Sequence, residues 1–158
     1  MLTPRLSVLL DNIRSAWNVG SILRSADGFG FVHAYICGIS PTPENEAVRK
    51  TSLGAEDTVT WSYHKDAVKL AAGLKKEGWE ILALEDEAGA ITLPSDRKHF
   101  HSVLIVGNEV AGVDPGLLDL CASVYYIPMS GEKKSFNAAI AFGIAAYALT
   151  KKPPKAAA

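Results

Sequence analysis

Residues 102–112 read Ser-Val-Leu-Ile-Val-Gly-Asn-Glu-Val-Ala-Gly. The run Ser102 to Val106 is apolar and bounded by polar and glycine residues, as a strand buried on both faces would be. Gly107, Asn108 and Glu109 follow at once, so a loop opens where that strand ends. Trp79 to Leu84 has the same character, and Leu6 to Leu10, Val32 to Cys37 and Val124 to Ile127 also read as strands. Val59 to Trp61 makes a short strand at best. Helical spacing lies between them. Asn18 to Phe29 carries Val19, Ile22, Leu23, Ala26 and Phe29 on one arc, with Gly30 as a stop. Asp66 caps a helix that runs to Glu77, Pro115 opens a short helix ending at Leu120, and Phe136 to Leu149 forms a long one. Glu44 to Thr51 is a further short helix. Strands alternating with helices predict an α/β domain, with a mostly parallel sheet and helices on both faces.

The chain has 158 residues, which predicts one domain over 1–150 and a tail over 151–158 that begins at Lys151 and contains Pro153 and Pro154. With 48% hydrophobic and 21% charged residues, it is neither a disordered nor a low-complexity chain. No apolar run is long enough for a membrane span. The opening Met1 to Asp11 lacks the pattern of a secretory signal. Two cysteines, Cys37 and Cys121, do not make a disulfide framework, so a cytoplasmic setting is expected, with both acting as core fillers. The net charge of −1 argues against a strongly basic nucleic-acid coat. The acid excess lies in residues 51–100, and both ends are slightly basic.

Ligands in such folds bind in the loops after the strands. Three stretches qualify. In the first, Asn18, Gly20 and Arg24 open the first long helix. Gly20 permits close approach to the backbone, and Arg24 points off the apolar arc, where its planar fork can take a phosphate. Taken alone, Arg24 also reads as an ordinary surface arginine. In the second, Gly107, Asn108, Glu109 and Gly112 form either a ligand loop or a plain turn. In the third, Pro128, Met129, Ser130 and Gly131 lead to Ser135 and Asn137. Ser135 is placed to cap the last helix, and Lys133 and Lys134 face either a polyanion or solvent. That helix is apolar on nearly every face, which suggests a subunit interface. His99 and His101 lack a third ligand, so no metal site is expected. Glu85, Asp86 and Glu87 read as a solvated charge cluster, with a ribose hydroxyl as the other option.

Together the three stretches are more specific than any one of them. Asn18-x-Gly20-x-x-x-Arg24-x-Ala26-x-x-x-Gly30 resembles the first motif of the SPOUT-class RNA 2′-O-ribose methyltransferases, SpoU/TrmH branch. Val106-Gly107-Asn108-Glu109-x-x-Gly112 is similar to the second. Ile127-Pro128-Met129-x-Gly131-x-x-x-Ser135-x-Asn137 is similar to the third. The resemblance implies a deep trefoil knot near the carboxyl end, S-adenosylmethionine as cofactor, and a homodimer joined through the last helix. It implies methyl transfer to a ribose 2′-hydroxyl of tRNA or rRNA.

The resemblance also assigns roles. Arg24 would stabilise the developing alkoxide, with Asn18, Glu109, Ser135 and Asn137 shaping the site around it. Leu84, Gly107, Ile127, Pro128, Met129, Ser135, Asn137 and Ala138 would hold the cofactor. Arg14, Arg24, Arg49, Lys50, Lys133 and Lys134 would gather RNA in a dimer groove. Phe136, Ala138 and Ala139 depart from the usual third motif, where a leucine and a hydroxyl residue flank the asparagine. A catalytically silent RNA- or cofactor-binding protein of the same fold is the alternative.

Overall fold

In the computed structural model, which describes residues 5–94 and 101–151, strand β1 (Leu6–Asp11) is buried at every position. It is followed by α1 (Ala16–Gly28), β2 (His33–Cys37), α2 (Glu46–Ser52), a single 3-10 turn at Ala55–Asp57, β3 (Thr60–His64) and α3 (Ala67–Lys76). The second half holds β4 (Glu80–Leu84), β5 (Ile91–Thr92), β6 (Ser102–Val106), α4 (Pro115–Leu118), β7 (Ser123–Tyr126) and α5 (Ala138–Thr150). Among the described residues every pairing between these strands is parallel, in the order β3-β2-β1-β6-β4-β7-β5.

The two-residue alternation of the strands divides the core into two layers. Leu6, Val8 and Leu10 of β1, Leu104 and Val106 of β6 and Leu82 of β4 meet α1, α2 and α5. Leu9, Val103, Ile105, Ile81 and Ala83 face the other way, onto α3 and α4. This is the expected sheet with helices on both faces. Phe142, Ala145, Ala146 and Leu149 seat α5 against the first layer, and Phe142 meets Phe31 edge-to-face at 5.2 Å.

Several boundaries differ from the sequence reading. The third strand lies at Thr60–His64, because Tyr63 and His64 continue the pairing with β2 as far as Cys37. The short β5, Ile91–Thr92, was not expected from the sequence. The last helix starts at Ala138, and its cap is Asn137 rather than Ser135: the Asn137 side chain accepts from the Ala139 and Ile140 amides at 2.9 and 3.3 Å. Asp66 caps α3 as its sequence suggests, accepting from the Lys69 amide at 3.0 Å. No helix among the described residues is long and apolar enough to cross a membrane.

The direction of winding reverses at β1. Strands β2 and β3 continue the sheet on one side, and β6, β4 and β7 lie on the other. In open parallel sheets such a reversal leaves a crevice at the carboxyl ends of the strands.

Candidate active site

The carboxyl ends of β4, β6 and β7 open onto one cleft of about 650 Å³, within the range of small-molecule sites. Leu84, Ile127, Met129, Ala138 and Ala141 supply an apolar wall. Glu85, Asp86, Glu109, Lys134, Ser135 and Asn137 bring polar groups to the same space. Of the residues expected to hold a cofactor, all but Pro128 line this cleft. A second cleft, about 500 Å³ and bordered by Tyr63, His64 and α3, holds none of the motif residues.

Residues far apart in sequence meet beside the main cleft. Asn137 Nδ2 donates to Asn18 Oδ1 at 3.1 Å, and Asn18 Nδ2 donates to Glu109 Oε1 at 3.2 Å. The Glu109 carboxylate also accepts from the backbone amides of Arg14 and Ser15, at 2.9 and 3.1 Å. One side chain from each motif therefore joins a single chain of hydrogen bonds. Its direction is set at the far end, because the Asn137 oxygen is committed to capping α5 and its nitrogen must donate. Burial raises the Glu109 pKa, but the amides of Arg14, Glu109 and Ser15 and the Asn18 side chain outweigh it. The carboxyl is held below its ordinary value. A carboxylate held this way is a weak proton acceptor and a firm strut.

The loop bearing Glu109 is closed on itself. Asn108 and Gly112 exchange backbone hydrogen bonds at 3.1 and 2.9 Å, and Asn108 Oδ1 accepts from the Val110 and Ala111 amides. Asn108 Nδ2 ties the loop to the Asn12 carbonyl at 2.7 Å. A Cβ on Gly107 would strike the Gly112–Val113 backbone. Gly107 thus makes room for the chain's own return, where the sequence suggested room for a ligand. Gly20 is corrected likewise: a Cβ there would strike the Val48 carbonyl and the Thr51 hydroxyl, so its role is the close packing of α1 on α2.

Arg24 is not brought to the cleft of its own chain. It stands exposed on α1, six residues and about 9 Å along the helix from Asn18. Arg49 is partly committed, its guanidinium donating to the Pro43 and Glu44 carbonyls at 2.6 and 3.0 Å. Lys134 lines the cleft; Arg14, Arg24, Arg49, Lys50 and Lys133 do not. The charge cluster after β4 is not simply solvated, because Glu85 accepts from the Val113 amide at 2.7 Å. Nothing in its local sequence signals that contact. Cys37 and Cys121 are packed into the second layer, and burial pushes their thiols up to about 12 and about 11, which makes them poor nucleophiles. His99 lies outside the described residues, and His101 packs edge-on against Trp79 at 5.6 Å.

Comparison with known proteins shows the family. Residues 5–147 match the family described as the SpoU rRNA Methylase family. The 23S rRNA (guanosine-2′-O-)-methyltransferase RlmB of Xanthomonas axonopodis pv. citri is 30% identical over 88% of this chain and 55% of its own length. The tRNA (guanosine(18)-2′-O)-methyltransferase of Thermus thermophilus is 28% identical over 97% of this chain and 78% of its own. The chain spans only 55% and 60% of the RlmB proteins of Xanthomonas axonopodis and Coxiella burnetii. Among solved structures, the SpoU methyltransferase AviRb from Streptomyces viridochromogenes, crystallised with AdoMet, superposes with a TM-score of 0.85 at 24% identity. That match covers 95% of this chain and 61% of the other, and it shows a shared fold. With the family match running from β1 into α5 and the three motifs joined at one cleft, the chain belongs to the SpoU rRNA Methylase family.

Proposed function

We propose that residues 1–150 form a single catalytic domain that transfers a methyl group from S-adenosylmethionine to a ribose 2′-hydroxyl of tRNA or rRNA. The observation that carries this reading is the hydrogen-bonded chain Asn137–Asn18–Glu109 beside the cleft. The relatives support it, being named as 2′-O-methyltransferases of rRNA and tRNA. The cleft fits the cofactor in size and in kind. Its apolar wall of Leu84, Ile127, Met129 and Ala138 suits an adenine ring and an aliphatic chain, and the Asp86 carboxylate suits hydroxyl and ammonium groups.

When bound, the cofactor supplies a methyl group on a sulfonium, whose sulfur leaves as a neutral thioether and needs no acid from the protein. The chain's own residues must position the ribose and stabilise its oxygen as the hydroxyl proton passes to solvent water. Glu109 and Asn18 hold the start of α1 against the loop after β6. Ser135 and Asn137 shape the rim. Arg24 is always charged and so makes a poor base. It serves as a planar donor to the alkoxide and to a neighbouring RNA phosphate.

Because Arg24 stands outside its own cleft, the reading includes a homodimer in which one protomer's Arg24 completes its partner's site. Ile140, Ile144 and Tyr147, at 56%, 38% and 59% exposure, form an apolar stripe along α5 for the second copy to cover. Arg14, Lys50, Lys133 and Lys134 then flank the RNA, and the enzyme works in the cytoplasm.

The test is labelled methyl incorporation into tRNA and rRNA from cells lacking this gene, with Arg24→Ala and Arg24→Lys beside the wild type. Labelling of one RNA class that vanishes with Arg24→Ala supports the reading. Near-full activity of Arg24→Lys would remove the planar-donor role. No labelling with cofactor binding intact would favour a silent binding protein of the same fold.

A further inference from the structure

The loop that carries Glu109 is gripped from two sides. Strand β6 lies between β1 and β4, and a carboxylate stands at or just beyond the end of each neighbour. Asp11, the last residue of β1, accepts from the Asp114 amide at 2.9 Å through Oδ2. Glu85, one residue past β4, accepts from the Val113 amide at 2.7 Å through Oε2. Two successive amides, on the segment returning from the Glu109 loop, are thus bound by carboxylates from the two flanking strands. Asp11 is 2% exposed and so buried. Glu85 is half-buried and borders the cleft.

Glu85 is itself firmly placed. Its backbone amide donates to the Tyr125 carbonyl of β7 at 3.0 Å, and its Oε1 accepts from the Asp86 amide at 3.2 Å. Space is reserved for its carboxylate: Gly112 has a φ of +74°, and a Cβ there would strike Glu85 Oε2. A side chain at position 112 would be strained in its backbone and would displace the Glu85 contact.

We propose that Glu85 is a positioning residue for methyl transfer. It holds Val113, and through it the Gly107–Val113 loop, at the height that places Glu109 against α1 and completes the cofactor side of the cleft. This rests on the functional reading above. A carboxylate–amide contact is among the stronger hydrogen bonds, and this one links β4 to a segment 28 residues later. Among the described residues, no other side chain is shown bonding the Val113 amide.

The test compares Glu85→Ala and Glu85→Gln in the full chain by three readouts: S-adenosylmethionine affinity by calorimetry, hydrogen exchange at the Val113 amide, and methyl-transfer kinetics. Glu85→Ala is expected to weaken the cofactor about tenfold and to speed Val113 exchange by a similar factor, the size of one hydrogen bond to a charged acceptor. The KM for RNA should stay unchanged. Glu85→Gln keeps an oxygen able to accept from Val113 and is expected to restore most of both losses. Unchanged affinity and exchange in Glu85→Ala would overturn the inference. So would a Gln variant as weak in cofactor binding as Ala with Val113 still protected, since the carboxylate would then act on the ligand's charge. Affinity and exchange are read without turnover, so a wild type that methylates no RNA would refute the functional reading and still judge Glu85.

Discussion

Asn18 and Glu109 are 91 residues apart in the chain, yet the Asn18 amide nitrogen lies 3.2 Å from the Glu109 carboxylate. The contact locks the start of α1 to the loop after β6. Asn18 is 8% exposed, so its amide has little access to water in compensation.

Asn18→Ala removes the shared partner of Glu109 and Asn137. Both partners are exposed and can turn to water instead, so the loss is the net worth of a hydrogen bond, about 0.5–1.5 kcal/mol, and a fall in stability of that order is expected in denaturant titrations. Asn18→Asp should do at least as much harm. It retains an acceptor for Asn137 but sets a second carboxylate against Glu109. A stability equal to wild type in Asn18→Asp would show that the Asn18 nitrogen is not the donor.

Gly20→Ala tests how closely α1 and α2 pack. Alanine is the better helix former by about 1 kcal/mol, so an open site would gain stability. Here the new methyl meets the Val48 carbonyl and the Thr51 hydroxyl. Overpacking costs about 1–3 kcal/mol, and the net change is expected to be destabilising. A rise in melting temperature would contradict the close contact.

Acid should act on this protein in two stages. Thr60 donates its hydroxyl to the Val32 carbonyl, so it accepts from His33 Nδ1 at 2.6 Å. His33 Nε2, 2.8 Å from Ser62 Oγ, then accepts from that hydroxyl, which in turn accepts from His64 Nε2 at 2.7 Å. Burial, and then the charge of His64, hold the His33 pKa below its ordinary value. Its contribution to stability is whole above about pH 6.5, the unfolded value, and is lost as pH falls toward the native one. Glu109, also depressed, contributes above about pH 4.3 and loses that contribution at lower pH. Asp11 works in the opposite sense, since burial raises its pKa. Its contribution is whole below about pH 3.9 and is lost as pH rises through the native value. Melting temperature against pH should therefore begin to fall below about 6.5, and His33→Gln should remove that first step and leave the second.

The strand at Ser102–Val106, the Asp66 cap of α3 and the proline that opens α4 were legible because each depends on neighbouring residues. The three motifs named the residues that meet at the cleft, but the form of their meeting was not legible. Ser135 and Asn137 are both good capping residues, and position 137 serves in a structure where its nitrogen also reaches Asn18, 119 residues away. Gly20 and Gly107 were correctly marked as close approaches, yet what approaches is α2 in one case and the returning loop in the other. Glu85 looked solvated because its partner amide is 28 residues off. The two residues of β5 are too few to show any periodicity.

The place of β6 between β1 and β4 also bears on how the chain matures during translation. Leu6 pairs with Ser102, so the inner edge of β1 has no strand beside it until that part of the message has been read. At about 5–20 residues per second, this interval lasts about 5–20 s. Meanwhile β1, β2 and β3 can already assemble as a nascent sheet with one apolar edge bare. With that edge bare, the ribosome-bound intermediate should be more aggregation-prone than the folded domain, and chaperone demand should peak just before residue 106 clears the exit tunnel.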